Sequence, residues 1–157
     1  MNYKSLILSI LALFVLMTGV FSLYEGSALN DNPKQWKYTA VISQMMNEGE
    51  VLEKSEISQL DFFLYAIKFR PFFPASMIVF ILLMLFVAVF PFSHRKTSWP
   101  VMGVYFLVFI VSLTVQPAEQ GTALFLAALR YSSLLLCLSA FILIKSPTLF
   151  NGKVVNE

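Results

Sequence analysis

Residues 123–144, ALFLAALRYSSLLLCLSAFILI, decide the fold class of this chain. A helix needs roughly 20 predominantly apolar residues to cross a bilayer, and this stretch has that length with a single charge, Arg130. Three further apolar runs occupy residues 6–23, 72–92 and 101–115, the last of them short. Helices satisfy all their backbone hydrogen bonds internally, as lipid requires. The sequence therefore predicts an all-α membrane protein with four transmembrane helices in an up-and-down bundle.

The composition agrees with this class and excludes others. Hydrophobic residues make up 58% of the 157 residues and charged residues only 13%, whereas soluble domains carry roughly 25% charged residues. The net charge of +2 is too small for a nucleic-acid partner. One histidine, His94, and one cysteine, Cys137, exclude an intrachain disulfide and the usual metal sites. No phosphate-binding loop or nucleophile elbow is present, so we expect no cofactor, no metal and no enzymatic activity.

Residues 1–24 have two possible interpretations. The run 6–23 is just long enough to span a bilayer as transmembrane helix 1. It also resembles a signal peptide, with Lys4 as the charged region and residues 20–22 as the cleavage site. The cleavage site is not of the Ala-x-Ala type, which favours a retained helix. Both interpretations place Tyr24 and the polar segment after it on the extracytoplasmic side.

Residues 25–71 form the only long polar segment and are expected to fold as an extracytoplasmic helical loop. Pro33 suits the first turn of a helix that would continue through Trp36 toward Met46. A second helix is predicted by apolar residues at helical spacing over 57–67, where Ser58 and Asp61 resemble a capping box. It should end before Pro71, because the residue preceding proline is disfavoured in a helix. Residues 72–157 would then hold three transmembrane helices and a short cytoplasmic tail.

The aromatic face of this second helix allows two arrangements. It could lie at the headgroup level as an interfacial helix. It could equally pack onto the ends of the spanning helices and form a short helical outer cap.

The orientation follows from the short connections between the spans. Arg95 and Lys96 lie between spans two and three, and no lysine or arginine lies between spans three and four. Because cytoplasmic loops are enriched in these residues, we expect cytoplasmic N and C termini and an extracytoplasmic loop 25–71 in the plasma membrane. Four basic residues near span ends on the other side count against this: Lys34, Lys37, Lys68 and Arg70.

Arg130 is the residue whose position needs a reason, because a charge within a span costs on the order of 3 kcal/mol. Its long side chain could reach the headgroups, which is the structural explanation. The functional explanation is an intramembrane charge site, in which Arg130 pairs with Glu25 or Glu119 or captures an anion in a cavity between helices.

The first half of the chain resembles the YjdJ-like family of small membrane proteins of Bacillus-type bacteria. The likeness covers about residues 1–95 and rests on the segments 23–27, 32–33, 36–39, 60–66 and 68–71. Its candidate loop motif comprises Tyr24, Gly26, Ser27, Pro33, Trp36, Tyr38 and Asp61. In physical terms, Gly26 would free the backbone as span one ends, and Trp36 and Tyr38 would anchor the loop at the interface. The resemblance implies a bacterial plasma-membrane protein and no activity, cofactor or catalytic residue.

These observations favour a non-enzymatic, multi-pass accessory or interaction protein of the bacterial envelope. Its partners would be the lipid bilayer and another membrane protein. The alternative is a small transporter or ligand sensor that uses a cavity around Arg130, and a lipid-headgroup enzyme is favoured less.

Overall fold

The computed structural model describes residues 3–89 and 95–145, which are helical or connecting throughout. It confirms the all-α bundle. Four long helices accompany three short ones, and we number them in chain order: α1 Tyr3–Gly26, α2 Pro33–Thr39, α3 Val41–Met46, α4 Gln59–Phe69, α5 Phe72–Val89, α6 Arg95–Thr114 and α7 Gln120–Lys145.

Three of the described helices are long and apolar enough to cross a membrane. They are α1, α5 and α7, whereas the apolar part of α6, Trp99–Thr114, is shorter. Hydroxyl side chains inside these helices donate to carbonyls one turn back, as Thr18 does to Phe14 and Ser133 does to Leu129, at 2.7 and 2.6 Å. Serine and threonine are therefore accommodated without leaving a polar group unsatisfied in lipid.

The long helices pack in the order α1, α5, α7, α6. α1 runs antiparallel to α5, with stacked rings of Phe14 on Phe80 and of Phe21 on Phe73. The other three helices share a core of Leu82, Tyr105 and Leu136. The buried Tyr105 hydroxyl donates to the Leu82 carbonyl at 3.1 Å, which ties α6 to α5. α7 therefore lies between two helices that are consecutive in sequence.

Residues 27–70 form the cap, a small folded unit at one end of the bundle. Its core comprises Leu29, Trp36, Ala40, Val51 and Ile57, with Phe62 and Tyr65 packed against it. Within the cap, α4 contacts α1, α5 and α7. Of the two arrangements open from the sequence, the structure has α4 packed on the ends of the spanning helices.

Two local expectations for the cap are wrong. The single helix predicted from Pro33 toward Met46 breaks at Ala40, whose φ of −84° and ψ of 48° are not helical. The break leaves the first N–H groups of α3 free to donate to the side chain of Asp61. In the second case, Ser58 does cap α4 by accepting from the Leu60 N–H at 3.2 Å, but Asp61 does not complete the predicted capping box. A capping box forms instead between Glu53 and Glu56.

The division at residues 1–24, 25–71 and 72–157 stays a prediction, as does retention of the first helix. The predicted tail, residues 146–157, lies outside the described residues, as does His94.

Candidate functional site

Arg130 lies in α7, about 15 Å from the start of that helix at 1.5 Å per residue. Its side chain is partly buried and turns toward α6. Both Nε and Nη2 donate to the main-chain carbonyl of Ser112, at 2.9 and 2.6 Å. The guanidinium therefore holds a backbone oxygen rather than a carboxylate.

The end of α6 supplies the physical reason for this contact. Ser112 lies in the last turn of α6, where carbonyls have no N–H partner four residues on. The apolar part of α6, Trp99–Thr114, is short, and the contact with Arg130 places this end of α6 beside the interior of α7. An unsatisfied carbonyl at that depth of a membrane would cost several kcal/mol. A cation at a helix C-terminus also interacts favourably with the helix dipole. Arg130 thus caps α6, a role that neither the snorkelling nor the ion-pair hypothesis includes.

The three residues of the predicted charge site, Arg130, Glu25 and Glu119, form no hydrogen bond or ion pair with one another in the described structure. Glu119 instead approaches Lys68 of α4 at 3.7 Å, and these two side chains are 46% and 26% exposed. Glu25 lies in the last turn of α1 and lines a groove that does not include Arg130. Within residues 3–89 and 95–145, neither glutamate forms an ion pair with Arg130. In the described structure Arg130 therefore donates to a carbonyl of α6 and not to either glutamate.

Asp61 is the most extensively bonded side chain of the predicted motif. It is fully buried, and its two oxygens accept from the N–H groups of Ile42 and Ser43 at 3.0 and 2.7 Å. The Ser43 hydroxyl donates to the same carboxylate. That hydroxyl oxygen in turn accepts from the Ser58 N–H at 2.7 Å. Asp61 of α4 therefore binds the N-terminus of α3, directly after the break at Ala40, and satisfies donors there.

Two glycines allow the backbone of α4 to touch the bundle. A Cβ at Gly26 would lie 1.9 Å from the Phe62 carbonyl oxygen, and a Cβ at Gly121 would lie 2.1 Å from that of Lys68. Gly26 is helical, so its function is close approach rather than the backbone freedom expected from the sequence. Gly121 is absent from the residues predicted above. A glycine near the end of an apolar run is the only signal that could have found it.

The other motif residues have structural positions. Pro33 begins α2, as predicted, and the Ser27 hydroxyl donates to the Tyr24 carbonyl at 2.7 Å. Trp36 is not an interfacial anchor, because its ring is buried in the cap core and its Nε1 donates to the Leu29 carbonyl at 2.9 Å. Tyr24 and Tyr38 are exposed.

These features define a class: an all-α membrane protein whose spanning helices carry a folded helical cap. Its sequence matches the family described as "Domain of unknown function (DUF4306)" over residues 5–93, more than half of the chain. The chain belongs to this family. It is also similar to a protein of Bacillus subtilis named "Uncharacterized protein YjdJ", at 35% identity over 77 residues, which cover 46% of this chain and 71% of that protein. No solved structure matches.

The matched range places the motif within the family's part of the chain. Residues 5–93 include α1, the cap and α5, whereas α6 and α7 lie outside. Gly26 and Asp61 therefore belong to the family's part, and Gly121 and Arg130 do not.

Proposed function

We propose that this chain is a non-enzymatic, multi-pass accessory protein of the bacterial plasma membrane that binds another membrane protein through its cap. The observation that carries this proposal is a group of large apolar side chains exposed on the cap. Met45, Met46 and Leu52 are 77%, 71% and 77% exposed. Exposed apolar side chains are ordinary on helices that face lipid, but on a polar extramembrane unit they are typical of a binding surface. Methionine in particular adapts to varied partner surfaces.

The attachment of the cap supports the same proposal. α4 contacts the bundle through backbone at Gly26 and Gly121, and Asp61 fixes α3 to α4. The part of this surface on α3, with Met45 and Met46, is therefore held in a defined position relative to the spanning helices. A preorganised surface binds without a large ordering cost.

Three of the charged candidate side chains have structural contacts. Arg130 caps α6, Glu119 pairs with Lys68, and Asp61 caps α3. Their engagement favours an interaction protein over an enzyme. The alternative of a transporter or sensor around Arg130 gains no support from this geometry, because the guanidinium is directed to a backbone carbonyl.

A photo-crosslinking amino acid tests the proposed surface. We expect a benzophenone side chain at Met45 to form a discrete adduct with another membrane protein in intact cells, and Leu52→Ser to reduce that adduct. The matched control is the same probe at Lys34, an exposed polar position of the cap. Adducts with lipid alone, or equal adducts from both positions, would contradict a protein-binding surface. Gel mobility and mass spectrometry of the adduct provide the measurement.

We also propose cytoplasmic termini and an extracytoplasmic cap, supported by Arg95 and Lys96 between the second and third spans. In a Cys137→Ser background, single cysteines at Ser55 and Ser98 should react with a membrane-impermeant thiol reagent from opposite sides. Ser55→Cys is expected to label from outside intact cells. Labelling of Ser98→Cys alone under those conditions would reverse the orientation.

A further inference from the structure

A groove of about 630 Å³ lies where the cap meets the spanning helices. Its lining comes from the end of α1, the connection between α4 and α5, and the facing sides of α5 and α7. The apolar part includes Ala75, Val79, Phe80, Leu124 and Ala128. From Phe72 to Phe80 the lining covers about 12 Å of α5 at 1.5 Å per residue. The volume is within the range of about 300–1,000 Å³ that is usual for small-molecule sites.

Two opposite charges belong to the same groove. Glu25 is half-buried in the last turn of α1, and Arg70 is exposed at the C-terminal end of α4. Over the part of the chain that the structure describes, neither side chain has an ion-pair partner or a side-chain hydrogen bond. Both are therefore available to a molecule in the groove.

The position of the groove determines what surrounds it. The residues from α5 and α7 belong to helices that are long and apolar enough to span a bilayer. Glu25 and Arg70 lie at the cap end of these helices, where the apolar spans meet the polar segment. An occupant therefore needs an apolar portion that extends along α5 and a polar portion that lies at the membrane surface. A phospholipid has both, and it is the solvent of this region.

The charges select the headgroup. Arginine binds phosphate through paired, charge-assisted hydrogen bonds. A carboxylate at the same mouth attracts an ammonium group and repels a second negative charge. We propose that the groove binds a phospholipid with a primary amine in its headgroup, with phosphate on Arg70, ammonium on Glu25 and an acyl chain along α5 and α7. An anionic lipid without an amine would satisfy Arg70 and leave Glu25 unpaired.

Native mass spectrometry of the full chain in mild detergent tests this site. Phosphatidylethanolamine and phosphatidylglycerol with identical acyl chains serve as probes. We expect wild type to bind the former about tenfold more tightly, which corresponds to about 1.4 kcal/mol. Glu25→Gln should abolish that preference, and Arg70→Gln should weaken both lipids. Lys68→Gln is the matched control, since it removes a cation from α4 outside the groove lining, and it should retain the preference.

Three results would overturn the proposal. One is equal or tighter binding of phosphatidylglycerol by wild type, and another is a preference that survives Glu25→Gln. The third is competition by free glycerophosphoethanolamine at the concentration of lipid used, because the site would then recognise a soluble headgroup. Thermal unfolding of each variant establishes that it is folded. Arg70 is exposed and Glu25 is half-buried without an ion pair in the described structure, so the fold should tolerate both changes. The result is independent of whether Met45 contacts a protein.

Discussion

Gly26→Ala and Gly121→Ala should each lower the free energy of unfolding by about 3 kcal/mol, at the upper end of the usual cost of overpacking. In each case the new methyl group would overlap a backbone carbonyl of α4, which cannot move aside as a flexible side chain could. The expected result is displacement of the cap from the bundle. Thermal unfolding in detergent measures the loss, and limited proteolysis at the cap's lysines reports the displacement.

The chain offers a matched control for this pair. Gly103 also lies within a helix, and among the described residues nothing lies within 4 Å of a Cβ built there. Gly103→Ala should therefore leave stability unchanged or raise it by up to about 1 kcal/mol, because alanine is the better helix former. If all three variants unfold alike, close contact between α4 and the bundle does not hold the cap in place.

Asp61→Asn should unfold the cap while the spanning helices remain. The buried carboxylate accepts from three donors, and an amide cannot accept at both of its terminal atoms. Leaving buried donors unsatisfied costs about 1–3 kcal/mol each, so we expect a loss of about 3 kcal/mol or more. In a Trp99→Phe background Trp36 is the remaining tryptophan, and its fluorescence reports the cap core.

The control for Asp61 is the same chemical change at an exposed carboxylate. Asp31 is 79% exposed and pairs with Lys54 at 3.1 Å, so Asp31→Asn should cost under about 1 kcal/mol. Ser58→Ala removes the N-cap hydrogen bond of α4, in which the hydroxyl accepts from the Leu60 N–H, and should cost about 1 kcal/mol. Equal fluorescence changes for Asp31→Asn and Asp61→Asn would show that the buried network does not stabilise the cap.

The sequence predicts the spanning helices because long apolar runs have few alternatives in lipid. It predicts α4 from the spacing of Ile57, Leu60 and Leu64 and from Pro71, which are local signals. It does not predict the break at Ala40, which is followed by donors bound to Asp61, or the burial of Trp36 in a core with Val51 and Ile57, because these partners are distant along the chain. Local patterns contain no information about such partners.

The candidate site likewise has one feature that the sequence predicts and others that depend on distant residues. The position of Arg130 within a span is sufficient to predict that its charge needs a structural or functional reason. Its partner is the backbone carbonyl of Ser112. Every residue has a carbonyl, so the sequence does not indicate which one Arg130 binds. The one available signal is the shortness of the third apolar run, which implies a helix end within the membrane. Glu25 and Arg70 are far apart in sequence, and only the packing of α4 brings them to one groove.

Because α4 contacts both Gly26 and Gly121, the packing of α4 on the bundle forms in a fixed order during synthesis. α1, which contains Gly26, is synthesised before α4, and α7, which contains Gly121, is synthesised well after α4. The two helices that α4 contacts are therefore present at different stages of synthesis. The nascent chain can form the contact with Gly26 once α4 has folded against α1. The contact with Gly121 must wait until α7 has left the translocon. Docking of α4 is therefore completed only in a chain whose α7 has been inserted.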